Sequence, residues 1–189
     1  MQTAETLLAI YGERGRHGKP LEGVYRQLFN PELYLRAYYR LAKNEGAMTR
    51  GATEETVDAM SMERIQGIIE LLRHERYRWT PVRRVLIPKG NGKLRPLGIP
   101  SWSDKLLQEV MRSLLNAYYE PQFSDNSHGF RPERGCHTAL RDVYRFWTGT
   151  KWFIEGDIKG CFDNIDHSIL MSILREKIQD GRFLTLVED

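Results

Sequence analysis

The chain is poor in cysteine: among 189 residues only Cys136 and Cys161 occur. Two thiols cannot staple a small disulfide scaffold, and they suit a reducing compartment. No run of about 18 apolar residues is present, which excludes a transmembrane helix and a membrane partner on hydropathy. The opening MQTAETLLAIYGERGRHGK puts no positive charge ahead of its short apolar run and is a poor match to a signal peptide. Internal repeats and low-complexity tracts are missing. With 41% hydrophobic and 28% charged residues, wholesale disorder is excluded as well. Motifs for common cofactors are scarce. The five histidines are scattered, and Cys161 and His167 lack the spaced partners that zinc demands. KGNGK lacks the glycine spacing and the Ser/Thr of a phosphate-binding loop.

What is present is an uneven distribution of charge. Residues 1–80 carry 12 Lys/Arg against 11 Asp/Glu, residues 81–152 carry 12 against 6, and residues 153–189 carry 4 against 8. A basic middle suits a polyanion such as nucleic acid or nucleotide phosphates, and an acidic end suits metal ions or a solvated face. The length allows one domain, or one domain and part of a second.

The order of elements reads as mixed α/β (α+β), mostly helical with one basic hairpin. Residues 12–23, GERGRHGKPLEG, read as a flexible connector behind a short N-terminal helix. Asn30 and Pro31 open a helix that should stop near Gly46, and residues 46–60 read as loop. Ser61 starts a helix whose Ile65, Ile68, Ile69 and Leu72 form an apolar stripe. Val82–Pro88 and Lys93–Ile99 flank Asn91-Gly92, a strong hairpin signal because both turn positions need positive φ. Pro88 and Pro96 confine these strands to edge-like pairing. A long helix runs from Ser103 to about Gln122, residues 124–135 are loop, and 136–147 form a helix. Trp152–Asp157 reads as a short strand, and Asp166 caps a last helix through Gln179. Trp79, Trp102, Trp147 and Trp152 read as core.

Four stretches, taken in order, resemble the reverse transcriptases encoded by group II introns, the intron maturases. They are AKNEGAMTRGATEETVDAMSMERIQGIIELLRHERYRWTPVRRV (42–85), RRVLIPKGNGKLRPLGIPSWSDKLLQEVMRSLLNAYYEPQF (83–123), SHGFRPERGCHTAL (127–140) and FIEGDIKGCFDNIDH (153–167). The last looks like polymerase motif A. The resemblance implies a right-hand polymerase, with residues 1–29 an N-terminal extension or linker, 30–151 the fingers, and 152–189 the start of the palm. It implies that Asp157 is the first of three metal-binding aspartates for Mg²⁺ and that the Ile158 carbonyl is a further ligand. Phe162 would be the steric gate under the incoming sugar. Lys89 and Arg95, with Arg84 nearby, would hold the nucleotide triphosphate, and Phe130, Arg131 and Pro132 would line the template or primer. Implied partners are intron or template RNA, a DNA or RNA primer and dNTP, in a bacterial or organellar cytoplasm; self-association is left open.

Elementary chemistry agrees with these roles. Arg and Lys on a rigid hairpin neutralise polyanions with charge-assisted hydrogen bonds. A bulky apolar ring at position 162 leaves a ribose 2′-hydroxyl clashing and unpaired, which favours deoxynucleotides. Simple core packing at a helix start is the alternative for Phe162, and a turn or helix cap is the alternative for Asp157. The family continues with an aromatic-Ala-Asp-Asp turn, whereas no Asp-Asp dipeptide occurs here. Two of three carboxylates are therefore missing, and the chain alone is not expected to polymerise. Rival readings are a non-catalytic RNA-binding module and, from Asp163 beside Phe162, an RNA-dependent RNA polymerase fragment.

Overall fold

The computed structural model describes residues 2–90 and 92–189. Helix α1 (Ala4–Arg16) is capped by Thr3. A two-residue strand β1 (Leu21–Glu22) and a single turn α2 (Val24–Gln27) lead to α3 (Pro31–Leu41), whose N-cap Asn30 accepts from Glu32 N. Two 3₁₀ turns, Glu45–Met48 and Val57–Ala59, cross to α4 (Met62–Arg73), which is capped by Ser61. Strands β2 (Arg83–Pro88) and β3 (Leu94–Ile99) form the antiparallel hairpin. Helix α5 (Trp102–Tyr119) follows, then α6 (Cys136–Phe146), α7 (His167–Lys177), β4 (Ile178–Gln179) and α8 (Gly181–Glu188).

Helix α5 is the axis of the core. Leu106, Leu107, Val110 and Leu114 are fully buried along it. Helix α1 lies so close that a Cβ on Gly15 would sit 2.0 Å from the Tyr118 carbonyl oxygen, so only glycine fits there. The connector expected at residues 12–23 is instead helical to Arg16 and then pinned. Arg14 donates to Pro20 O at 2.8 and 2.5 Å and pairs with Glu22. Strand β1 pairs in parallel with β4, Leu21 opposite Ile178, which joins the two ends of the sequence. Asp180 reinforces this link: it accepts from Tyr25 N at 2.8 Å and caps α8, whose Phe183 is fully buried. The sequence reading gave neither β1, β4 nor α8.

A buried carboxylate ties the hairpin to α5. Asp104 is 2% exposed. It accepts from the Tyr77 hydroxyl at 2.7 Å, Thr80 N at 3.1 Å and the Ser101 hydroxyl at 2.6 Å. Burial, and then the bond to Asp104, push the Tyr77 phenol well above its ordinary range.

No apolar side chain is buried between residues 119 and 170. The strand expected at 152–157 does not form: residues 151–158 have no regular structure and are exposed throughout. A strand needs a neighbour to take its backbone groups, and among the described residues none lies there, so water takes them. Trp102 is core, but Trp147 and Trp152 are 54% and 88% exposed, contrary to the expectation. Asn91 of the expected turn lies outside the described residues; Gly92 has φ of 76°.

Asp104→Ala strands Tyr77, Thr80 and Ser101 donors in the interior and should lower stability by about 3 kcal/mol in urea melts. A loss under about 0.5 kcal/mol, the scale of an ordinary surface substitution, would remove this network from the core. The same melts should show wild-type stability intact below about pH 10 and falling above it. There the unfolded chain gives up the Tyr77 proton while the folded chain retains it.

Candidate nucleic-acid interface

The hairpin register sorts its cations by face. Ile87 pairs with Arg95 and Arg84 with Gly98. Side chains opposite one another share a face and successive ones alternate, so Arg95 and Arg84 stand on opposite faces. Lys89 falls on the Arg95 face, its amide donating to Lys93 O at 2.6 Å. Lys89 and Arg95 therefore share one face of the hairpin, and Arg84, expected nearby, stands on the other. All three are exposed, and none forms an ion pair among the described residues.

Arg83, which the sequence reading did not single out, anchors the base of the hairpin. Its Nε and Nη2 donate to Arg50 O at 3.1 and 2.7 Å, and Nε also to Gly51 O at 3.1 Å. The same stretch is held from α5, where Trp102 Nε1 donates to Ala47 O and Lys105 Nζ to Thr49 O. Burial, and then the charge of Arg83, hold the Lys105 ammonium below its ordinary range. A Cβ on Gly51 would meet Pro100 O at 2.3 Å, so this strut sits directly against the end of the hairpin.

The 124–135 loop is organised by Arg131. Its side chain is 8% exposed and pairs with Glu120 at 2.9 Å. Nη1 donates to Ser124 O at 2.6 Å and Ser127 O at 2.9 Å, and the guanidinium lies 5.5 Å from the centre of the Phe123 ring. Arg131 therefore spends donors on Glu120 and on the loop carbonyls. Its neighbour Phe130 is fully exposed with φ of 58°, a left-handed conformation rare for a bulky residue, and Pro132 is exposed beside it. His128 closes the loop onto α6 through Thr138 Oγ1 at 2.8 Å and Asp142 at 3.3 Å.

The motif-A residues stand apart from the core. Asp157 is exposed and has no hydrogen-bond or ion-pair partner among the described residues, so it closes neither a turn nor a helix. Ile158 is 75% exposed and Phe162, opening a 3₁₀ turn at Phe162–Asn164, is 85% exposed. Core packing thus does not account for Phe162. Among the described residues no group of three or more His, Cys, Asp or Glu could hold a metal ion. One solvated carboxylate does not satisfy Mg²⁺, so these residues do not by themselves fit the metal.

Comparison with known proteins decides the family. The profile described as "Reverse transcriptase (RNA-dependent DNA polymerase)" matches residues 87–182. The chain is 50% identical over 165 residues to the "Group II intron-encoded protein LtrA" of Lactococcus lactis subsp. cremoris, covering 87% of this chain and 28% of that protein. The chain belongs to the group II intron reverse transcriptases. It is also 49% identical over 160 residues to an "Uncharacterized 91 kDa protein in cob intron" of Schizosaccharomyces pombe, covering 85% of this chain and 20% of that one. With "Nuclear intron maturase 1, mitochondrial" of Arabidopsis thaliana it shares 35% identity over 89 residues, 47% of this chain and 12% of the relative. This reverse transcriptase chain thus spans between about a tenth and under a third of the length of these three relatives. Among the described residues no helix is long and apolar enough to cross a membrane.

Replacing Arg131 by Ala removes three loop contacts and leaves Glu120 without its partner. Limited trypsin digestion should then cut the 124–135 loop, at Arg134, faster than the exposed Lys151. An unchanged order of cleavage would show that the loop keeps its shape without this side chain.

Proposed function

We propose that this chain supplies the RNA- and nucleotide-recognising fingers, with the first motif of the palm, of an RNA-directed DNA polymerase of the group II intron type. The observation that carries the reading is the hairpin: Lys89 and Arg95 are exposed on one face without ion-pair partners among the described residues, above a base immobilised by Arg83 and Asp104. Unpaired cations on a rigid strand pair are suited to phosphates, because no protein anion has to be displaced and little side-chain support has to be reorganised. On this reading Lys89 and Arg95 meet the triphosphate of a dNTP, Arg84 serves the opposite face, and Phe130 and Pro132 meet template or primer. Arg131 acts as a positioning residue for Phe130.

Asp157 and the Ile158 carbonyl are proposed as the ligands this chain would lend to a Mg²⁺ site, and Phe162 as the sugar gate. A solitary carboxylate leaves the chemistry to residues outside this sequence, so the chain itself recognises and positions. The lone, solvated Asp157 equally supports the second reading, a non-catalytic RNA-binding module. The family's DNA-polymerase description argues against the RNA-polymerase alternative. Bacterial or organellar interiors fit a ligand set of RNA and dNTP.

Two measurements test the reading. RNA binding by the chain should weaken with salt, and Lys89→Ala with Arg95→Ala should flatten the slope of log K against log salt by about 1.4, the value for two lost phosphate contacts on a single strand. A salt-independent affinity would sink it. Primer extension with the chain alone, Mg²⁺ and dNTPs should give no incorporation above background, and incorporation would refute the division of roles.

A further inference from the structure

The 124–135 loop is closed onto α6 by a histidine that engages both of its ring nitrogens. The His128 side chain is 14% exposed; Nδ1 meets the Thr138 hydroxyl at 2.8 Å and Nε2 meets Asp142 at 3.3 Å. Thr138 in turn ties the end of the loop, because its Oγ1 accepts from Gly135 N at 2.9 Å and lies 2.8 Å from Gly135 O. The loop's two arginines are occupied elsewhere, Arg131 by Glu120 and Arg134 by Asp125. Glu133 in the loop and His137, Arg141 and Arg145 on α6 are exposed and make no bond to the ring among the described residues. Asp142 is thus the charged group that the ring meets.

A count of protons favours the charged ring. A neutral imidazole has one donor nitrogen and one acceptor, an imidazolium has two donors, and a hydroxyl has one proton. With both nitrogens protonated, Nδ1 donates to Thr138, Nε2 donates to Asp142, and the Thr138 hydroxyl keeps its proton for Gly135 O. With a single proton on Nε2, Nδ1 has to accept from Thr138, which then releases Gly135 O. With a single proton on Nδ1, a nitrogen lone pair faces the Asp142 carboxylate. Each neutral form gives up one contact, and only the charged form sets an ionised donor against an ionised acceptor.

We propose that His128 is a positioning residue, a proton-dependent clasp that fixes the 124–135 loop on α6 when its ring is charged and loosens it when the ring is neutral. Imidazole exchanges this proton between about pH 5 and 8. The loop is where such a clasp has a consequence. Phe130, two residues on, is fully exposed with φ of 58°, and Glu133 has φ of 57°. Backbone conformations that side chains disfavour persist only where surrounding bonds hold them, so a loosened clasp lets Phe130 relax. The clasp stands on its own geometry; its effect on RNA rests on the reading of Phe130 as a template- or primer-facing side chain.

The test is hydrogen exchange of the whole chain followed by NMR at the amides of Ser127, Arg134 and Gly135, which donate to Ser124 O, Arg131 O and Thr138 Oγ1. After correction for the intrinsic rate, these amides should be protected about fivefold more at about pH 6 than at about pH 8, the equivalent of one net hydrogen bond in the opening equilibrium. His128→Gln and, separately, Asp142→Asn should remove the difference, whereas His137→Gln should retain it. A wild-type difference under about twofold, or one that survives in both variants, would overturn the proposal. Fluorescence anisotropy with a labelled single-stranded RNA supplies the second arm. The affinity lost between the two pH values should be smaller in His128→Gln and in Phe130→Ala than in wild type. An equal loss in all three would overturn the consequence for RNA. Absence of RNA binding would refute the proposed function alone, since exchange reads the clasp without RNA.

Discussion

Every bond that the Asp104 carboxylate makes goes to chain that enters or leaves the hairpin. Tyr77 and Thr80 precede β2, and Ser101 follows β3. Isolated two-stranded hairpins are marginal in water, and β2 and β3 are mostly exposed and pair only with each other among the described strands. Their shared base therefore needs an external anchor. A buried anion at the first turn of α5 provides one, since the helix N-terminus favours negative charge and three hydrogen bonds replace the lost water. The Ser101 hydroxyl both caps Asp104 N at 3.2 Å and donates to its carboxylate, so the cap of α5 and the end of β3 are one structure. The orientation of the hairpin thus follows from the orientation of α5, which is fixed by the whole core.

The arginines divide by what the fold asks of them. Arg14, Arg83, Arg112 and Arg131 have their donors taken by carbonyls and carboxylates of their own chain. They set geometry and have little left for a ligand. Arg84, Arg95 and Arg36 are exposed without such partners among the described residues. Counting positive residues cannot make this division, because both groups read alike in sequence. The structure makes it: the first group is spent on the chain's own carbonyls and carboxylates, and the second group is left exposed.

Local signals were legible where they are self-contained. The hairpin strands, the caps Asn30, Ser61 and Asp166, and the apolar stripes of α4 and α5 each depend on a few neighbours, and those elements form as read. The errors fall where partners are distant. A strand at 152–157 depends on another strand, and apolar alternation alone cannot supply it. Strand β1 and strand β4 are two residues each and exist because residues 21 and 178 meet. For Arg131, the block FRPER does not say that the side chain turns inward, because Glu120 and the carbonyls it meets lie outside the block. Faces of the hairpin were available from strand alternation, yet the separation of Arg84 from Arg95 needs the register, which rests on where the turn falls.

The same contrast explains the uneven standing of the two proposed halves of the site. The hairpin is tied to the core by Asp104, Arg83 and the 47–51 strut, so its cations have a defined place before any ligand arrives. Preorganisation of this kind removes part of the ordering entropy from binding. Residues 119–170, which include Asp157 and Phe162, bury no apolar side chain and are held at their start by polar clips at Arg131 and His128. Exposed aromatic and aliphatic side chains there, among them Phe146, Trp152 and Phe153, gain no hydrophobic stabilisation from this chain's own core. A carboxylate can grip a divalent ion only when its neighbours fix its position and supply further oxygens. The hairpin cations are therefore placed by the packed part of this chain, and the position of Asp157 depends on contacts that this core does not make.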